Sequence, residues 1–444
     1  MMRYKTVAMA ALMALMAGSN SAWAAVSAEE AAQLKSTLTP LGAEKAANKD
    51  GTIPAWTGQA PAVPGAGNGK YPDPFSSEKP IAQITAQNMG QYADKLTEGT
   101  QDLLKKYPSF RLDVYPTHRT FTAPQWAYDN TFKAATTAKL IDKDMSFDGA
   151  WAAIPFPIPK SGNEVILNSL RHPKTPSMEL MTRNYVGSAD GKHSLAVQTL
   201  LNELHLYWVK DSSPGGEYIR MRVDAIAPNF KAGEALMSYD TRDVNKDLES
   251  WQYLVGQRRV RRAPTVAYDT PDFMASGANY FDEVGGYFGR IDRYDWKLVG
   301  KKEMYVPYND NKFFDAGEPK AFVPFHINPD VLRWELHRVW VVDATLAQGK
   351  RHAVPKRRLY IDEDSWAPLA MDGYDAEGKL WRISYVMPMV ISDATVSLDV
   401  RTTIVYNLQA NTYSVIQYTD TLKPIPPRSM NYFSSEALSN SSLR

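Results

Sequence analysis

The feature that most constrains this chain is a succession of strand patterns along its second half, joined by connections too short for crossover helices. Leu204–Val209 (LHLYWV) and Glu217–Ile226 (EYIRMRVDAI) flank Asp211–Gly216, an aspartate followed by two serines, a proline and two glycines, which reads as a hairpin loop. Further strands are expected at Glu234–Tyr239, Ser250–Arg262, Tyr294–Tyr305, Arg333–Ala344, Arg357–Glu363, Ala367–Asp375, Lys379–Met387, Val396–Asn407 and Thr412–Thr419. A parallel pair needs a crossover of roughly a dozen residues or more, so about eleven strands with short links favour an antiparallel meander. Arg262–Arg293 interrupts it. There Pro264, Pro271 and glycines 277, 285, 286 and 289 break any strand around Phe273, Tyr280, Phe281, Tyr287 and Phe288. This aromatic insertion reads either as a lid or plug, or as a helix and loop packed on the sheet.

Residues 25–190 have another texture. Ser27 and Glu30 form a capping box opening a short helix through Leu38. Pro61–Pro80 is rich in Pro and Gly and should run extended. Helices are expected from about Thr85 to before Pro108, over Pro124–Ile141 and over Gly162–Arg171, whereas three alternate prolines keep Ile154–Pro159 extended. The expected division is 1–24 leader, 25–190 helical and proline-rich, 191–444 strand-rich.

The leader follows from Arg3 and Lys5, the apolar run Val7–Ala17 and the A-x-A site Ala22-Trp23-Ala24. Its apolar run is well short of the ~20 residues a membrane-crossing helix needs. An exported, periplasmic protein is therefore expected, free in solution after cleavage. The chain holds no cysteine, which removes disulfides, disulfide-linked partners, thiolate metal sites, thiol nucleophiles and a lipoprotein anchor. With 50 Lys and Arg against 49 Asp and Glu, it also lacks the basic footprint of a nucleic-acid binder.

Enzyme motifs fail. Among seven histidines no two lie closer than eleven residues, so short His–His zinc spacings are excluded and no metal is expected. Gly187-Ser188-Ala189-Asp190-Gly191 has its serine in the wrong place for a nucleophile elbow, and no glycine–lysine pair is followed by Ser or Thr, as a Walker loop requires. Gly65–Lys70 follows no strand and reads as a loop. Two acidic groups remain, Asp362-Glu363-Asp364 and Asn309-Asp310-Asn311 with Asp315 and Glu318, and turn acids of this kind are usually solvated. No catalytic residue and no cofactor is expected, and the chain is read as a non-enzyme.

The run Gln257–Arg262 (QRRVRR) lies inside a strand pattern, so alternation sends one arginine pair toward the sheet interior. Such arginines either pair with Glu249, Asp292 or Asp295, or hold an anionic head group at the mouth of an apolar cavity, with Lys356, Arg357 and Arg358 adding to the rim. Aromatic rings concentrate in the strand patterns and suit a cavity wall as well as a core. The expected ligand-binding set is Trp251, Tyr253, Arg259, Arg261, Tyr280, Phe281, Tyr287, Phe288, Trp296, Trp334 and Trp340.

Five ordered blocks carry a family resemblance: LTPLGAEKAANKDGTIPAWTG (Leu38–Gly58), FPIPKSGNE (Phe156–Glu164), WQYLVGQRRVRRAP (Trp251–Pro264), DRYDWKLVGKKEMYVPYN (Asp292–Asn309) and YIDEDSW (Tyr360–Trp366). They resemble the exported bacterial family called domain of unknown function 1329, departing from it at Val255, where proline is expected. The resemblance implies a fold similar to the outer-membrane lipoprotein carriers of the LolA/LolB type. The fold class expected is thus α+β and β-rich: a curved antiparallel sheet or incomplete β-barrel closed by helices around an apolar cavity, plus the helical and proline-rich N-terminal part. It further implies partners in an inner-membrane exporter of the resistance-nodulation-division type and an outer-membrane protein. The leading expectation is a periplasmic carrier for a lipid, a lipoprotein acyl chain or another lipophilic compound. Competing with it are an adaptor subunit of a trans-envelope complex and an envelope enzyme acting on glycans through Asp362, Asp364 and Glu335.

Overall fold

Strand patterns become strands across most of the second half, and they join one sheet. The computed structural model describes residues 26–63, 66–212, 216–241, 243, 246, 248–263 and 268–441, so the expected leader lies outside the described residues. Among these, fifteen strands build the main sheet. They are Ala82–Ile84 (β1), Leu112–Val114 (β2), Ser177–Gly187 (β3), His193–Leu204 (β4), Glu217–Ala227 (β5), Ala235–Thr241 (β6), Glu249–Leu254 (β7), Arg259–Arg262 (β8), Tyr294–Pro307 (β9), Trp334–Leu346 (β10), Lys356–Asp362 (β11), Pro368–Tyr374 (β12), Leu380–Val390 (β13), Leu398–Asn407 (β14) and Thr412–Pro424 (β15). Their order is β1-β2-β10-β11-β12-β13-β14-β15-β3-β4-β5-β6-β7-β8, with β9 paired along β10. Every pairing is antiparallel except the bridge between Val114 and Trp334 that attaches β2. The sheet is curved and does not close.

Strands from before residue 190 belong to this sheet, β3 among them, and two expectations shift with that. Leu204–Val209 is not a strand: β4 ends at Leu204, and Leu206–Trp208 forms a 3-10 turn whose Tyr207 hydroxyl donates to the Ala153 carbonyl at 2.7 Å. Ser250–Arg262 is not one strand but a hairpin, in which Val255–Gln257 turns the chain and Arg258 sits at φ 48°.

Four helices matter for the cover: Glu98–Lys106 (α1), Gln125–Thr137 (α2), Gly162–Leu170 (α3) and Ser435–Ser441 (α4). The helix expected from Thr85 is split. Met89–Lys95 is a 3-10 turn, and Thr97, accepting from the Thr100 amide at 3.0 Å, caps a new start. Ser161 caps α3 in the same way. At Gly162 a Cβ would lie 2.5 Å from the Trp296 carbonyl oxygen, so only glycine lets α3 come this close to β9.

Strands β11 to β14 are buried on both faces, which no sheet achieves without a second layer. The N-terminal coil supplies part of it, fixed by polar contacts. Trp366 Nε1 donates to the Leu41 carbonyl at 2.8 Å. Asn311 donates to the Tyr71 carbonyl at 2.9 Å and accepts from the Val390 amide at 2.8 Å. Arg119 holds both oxygens of Asp364, at 2.7 and 2.8 Å, while donating to the Glu44 carbonyl at 2.8 Å.

The start of α1 lies on Asp372 of β12, which accepts from the Gly99 amide at 3.1 Å and from Tyr360 Oη at 3.0 Å. Burial outweighs these two bonds and pushes the Asp372 carboxyl up to about 7. A folded-state value above the unfolded one means the folded protein holds this proton more tightly, so stability is full at low pH and falls as pH rises toward about 7. Asp372→Asn, which mimics the protonated acid, should raise the denaturant midpoint relative to the parent above about pH 7 and leave it unchanged below the ordinary carboxylate range. Midpoints measured at both ends of that window check it.

Candidate functional site: a covered cavity in the sheet

Alternate residues of neighbouring strands in the β3 to β6 half form one wall of a cavity. Thr199, Leu201 and Glu203 of β4, Met221 and Val223 of β5, and Leu236, Ser238 and Asp240 of β6 line it. Register makes rows of them: Leu201 faces Val223, which faces Leu236, and Glu203 faces Met221, which faces Ser238. The cavity volume is about 190 Å³, and its lining is mostly apolar. Val400 and Arg401 of β14 and Ile416 of β15 continue the wall, and the chain leaving α3, Ser169 to Lys174, borders it.

Its cover is the aromatic insertion. Met274, Phe281, Val284, Tyr287, Phe288 and Arg290 line the cavity from 268–293. Three short 3-10 turns and a bridge between Pro271 and Tyr280 shape this segment. Buried ion pairs clamp it to the sheet. Asp282 meets Arg357 of β11 at 2.8 Å and His352 at 2.9 Å; Glu283 takes Arg382 of β13 at 2.8 and 2.5 Å. The Gly285 amide adds a bond of 2.9 Å to the Thr403 hydroxyl.

A cluster of ionisable side chains sits in the wall. Arg401 holds both oxygens of Asp399 at 2.8 Å and donates to Glu203 at 2.8 Å, and His205 lies 3.1 Å from Glu203. Burial opposes ionisation of Glu203, but Arg401 and His205 outweigh it and hold the carboxyl far below the usual range. Burial and the adjacent Arg401 lower Lys174 to about 8, and among the described residues no side chain hydrogen-bonds its ammonium. His172 is driven neutral, first by burial and then by Lys174. Its Nδ1 is 2.7 Å from the Ser169 carbonyl, and its Nε2 has no partner.

Of the eleven residues expected from sequence, Phe281, Tyr287 and Phe288 line the cavity; the others lie elsewhere. Trp251 and Tyr253 pack with Met237, Phe433 and Leu438 beneath α4. Met237 alternates with the cavity-lining Leu236 and Ser238, so this is the opposite face of the sheet. Arg259 and Arg261 are exposed, contrary to the inward pair expected. The hairpin resets the alternation, and Val260 alone of the three turns toward α4. Four exposed or half-exposed residues on a terminal strand, three of them arginines, blunt an edge that would otherwise pair with other chains. Asp292, one proposed partner, pairs with Lys350 at 2.8 Å instead. Tyr280 packs edge-on to His352 and Trp381, and Trp296 edge-on to Tyr287, behind the wall. Trp334 packs against Tyr385, and Trp340 stacks on Trp366. Arg357 is buried on Asp282, and Arg358 is taken by Asp343 at 2.6 Å, so neither stands on a rim.

The acids considered for glycan chemistry are interior. Glu335, Asp362 and Asp364 are buried and none lines this cavity, whereas a glycosidase needs two carboxylates facing across a cleft. His337, Asp362 and Asp364 bring ligand atoms within 4.8 Å of one another. Several of their donors and acceptors are taken: Asp364 by Arg119, His337 by Glu335 at 3.0 Å, and Asp362 Oδ2 by Ser365 and Tyr308, while Asp362 Oδ1 is buried without a partner among the described residues. The group reads as a hydrogen-bond network that holds the turn after β11 against the N-terminal coil.

Sequence reasoning missed His172, Lys174, Glu203, His205 and Arg401. The available signal was Lys174 held between Pro173 and Pro176 just past a helix, an extended lysine beside an apolar strand.

The model of the family described as protein of unknown function (DUF1329) matches residues 83–439. An uncharacterized protein of Pseudomonas aeruginosa is 42% identical over 371 residues, covering 81% of each chain. The chain belongs to the DUF1329 family. A solved DUF1329 protein from Desulfovibrio piger is 17% identical, with a TM-score of 0.44 over 62% of this chain and 97% of that one. A LolA superfamily protein from Nitrosomonas europaea is 12% identical, with a TM-score of 0.37 over 63% and 100%.

The clamp on the cover is testable in this DUF1329 chain. Glu283→Gln leaves Arg382 buried without its counter-charge, a change that costs about 3–5 kcal/mol in a closed site. Amide hydrogen exchange should accelerate across 268–293 while β11 to β14 stay protected, as mass spectrometry of the peptides will show.

Proposed function

We propose that this protein binds a lipophilic molecule in the cavity between β3–β6 and the 268–293 cover. The observation that carries the reading is a partly covered, mostly apolar space built from alternate residues of adjacent strands. A core filled for stability alone packs to the density of an organic crystal and leaves no such space.

Size narrows the occupant. At about 190 Å³ the cavity exceeds an engineered apolar cavity of ~150 Å³ that admits benzene, yet falls below the ~300–1,000 Å³ of pockets that enclose drug-sized ligands. One apolar chain or small ring system fits, and anything larger extends past the cover. Each methylene buried contributes roughly 0.8 kcal/mol, so a few carbons of a chain suffice for reversible capture.

On this reading the protein is a periplasmic carrier, and its partners are an inner-membrane exporter of the resistance-nodulation-division type and an outer-membrane protein. The leader pattern and the family resemblance support that setting. Among the described residues, no helix is long and apolar enough to cross a membrane.

Native mass spectrometry and lipid extraction of the protein purified from its own cell envelope test the reading. A bound lipophile is expected, and it should be lost when Leu201→Trp and Val223→Trp together fill the cavity. An occupant retained by that variant, provided it folds with the parent's circular dichroism, would place binding elsewhere.

A further inference from the structure

Four cations line the cavity, Arg171, Lys174, Arg290 and Arg401, with the acids Glu203, Asp240 and Asp272, while Asp399 is held by Arg401 through both oxygens. Glu203 is shared by Arg401 and His205, and Asp240 takes Arg171 at 3.2 Å. Asp272 accepts from Asn279 and from the Met274 amide. No carboxylate is left for Lys174, which borders the cavity without a hydrogen-bond partner among the described residues. Next to it His172 lends its Nδ1 hydrogen to the Ser169 carbonyl, so its Nε2 is an unpartnered acceptor. Arg290, across on the cover, also lines the cavity and has two guanidinium nitrogens, Nε and Nη2, buried without partners.

Leaving the Arg290 and His172 nitrogens unpaired inside a protein costs free energy, while the half-buried Lys174 ammonium faces the cavity with no acid bonded to it among the described residues. A ligand anion removes the cost for the cationic donors, whereas the His172 Nε2, itself an acceptor, is served by a donor such as the neighbouring Lys174 ammonium. We infer that the cavity takes an amphipathic acid, a single apolar chain ending in a carboxylate or phosphate, whose head is held by the Lys174 ammonium beside His172. The chain then lies along the row Leu201, Val223 and Leu236. This inference rests on the lipophile-binding reading above and adds the chemistry of the head.

The head's charge is what Lys174 recognises, so a neutral amphiphile of the same length should bind more weakly. A charge-assisted hydrogen bond is worth about 1.5–3 kcal/mol, equivalent to roughly ten- to a hundredfold in affinity. The groups facing Lys174 are Arg401 and Asp399 of β14, Glu203 of β4, and the neutral His172 and His205. Arg401 and Glu203 keep their charge through neutral and mildly alkaline pH. Lys174 is then the group that titrates in that range, and acid binding should weaken as pH rises through about 8.

Isothermal titration calorimetry of the full-length mature protein, stripped of lipid, settles the matter with five probes: dodecanoate, dodecyl phosphate, dodecanol, dodecyltrimethylammonium and acetate. Expected are tight binding of either acid, or of both, at least about tenfold weaker binding of dodecanol and of the cation, and none of acetate. The stronger of the two acids distinguishes a carboxylate from a phosphate head. Lys174→Met should cut acid affinity at least about tenfold and leave dodecanol unchanged. Should that variant fail to fold, the loss of acid affinity above about pH 8 in the parent reads the same group. Equal affinity for dodecanol and dodecanoate, unaltered by Lys174→Met or by pH, overturns the acid head and leaves the lipophile reading standing. Saturable binding of none of the amphiphiles overturns both.

Discussion

Buried guanidinium–carboxylate pairs decide which segments lie on which part of the sheet. Arg119 with Asp364 fixes the N-terminal coil to the turn after β11, Arg357 with Asp282 and Arg382 with Glu283 fix the cover, and Arg401 with Asp399 and Glu203 ties β14 to β4. All of these charged side chains are almost wholly out of water. Desolvation takes back most of what such pairs gain, so they are weak sources of net stability. Their value lies in intolerance of error, because a segment shifted by one residue leaves a bare charge inside the protein. A sheet that does not close needs such instructions, since its apolar faces would accept many coverings.

The two halves of the sheet show what the instructions achieve. Over β11 to β14 the covering layer fills the space, and both faces are buried. Over β3 to β6 the cover is clamped by its ion pairs at the β11 and β13 side and meets the strands at Met274, on Val197 and Ala225, and at Phe281, on Leu236, leaving a gap between them. The unfilled gap is the cavity. Phe281, Tyr287 and Phe288 roof it and do not plug it, because the backbone that bears them is held at the β11 and β13 side.

Much of this was legible in the sequence and some was not. Strands β9 to β15 and β5 to β6 follow from alternating or continuous apolar runs between clear turns. Strand β4 escaped because the apolar residues of His193–Trp208 come in pairs and triplets (Leu195–Val197, Leu200-Leu201, Leu206–Trp208) and not in strict alternation, so neither its start nor its true end at Leu204 is marked by periodicity. The arginine run misled through one backbone event. With Arg258 in the left-handed region the strand doubles back, and the faces assigned from an unbroken alternation are lost. Of the aromatic residues singled out for the site, Phe281, Tyr287 and Phe288 in the insertion line the cavity, whereas Trp334, Trp340 and Trp296 serve the packed half; Tyr207, Trp208 and Tyr218, from the expected Leu204–Val209 and Glu217–Ile226 stretches, line it as well. The groups that give the cavity its polarity come from four separate stretches, around 172–174, 203–205, 290 and 401. Such proximity is a property of strand order, with β14 and β15 inserted before β3, and no local pattern encodes it.

The ion pairs on the cover also bear on how permanently it is shut. Apolar surfaces pulled apart in water lose their whole stabilisation, but Asp282, Glu283, Arg357 and Arg382 recover hydration once exposed. The cover is therefore fastened in two ways, by a clasp of charged pairs that water can replace and by the apolar contacts of Met274 and Phe281 on the strands, which it cannot. Removing one half of a clasp leaves a charge stranded, whereas opening both halves together strands nothing. Position is thus enforced strictly by the charged pairs, which tolerate no loss of one partner alone.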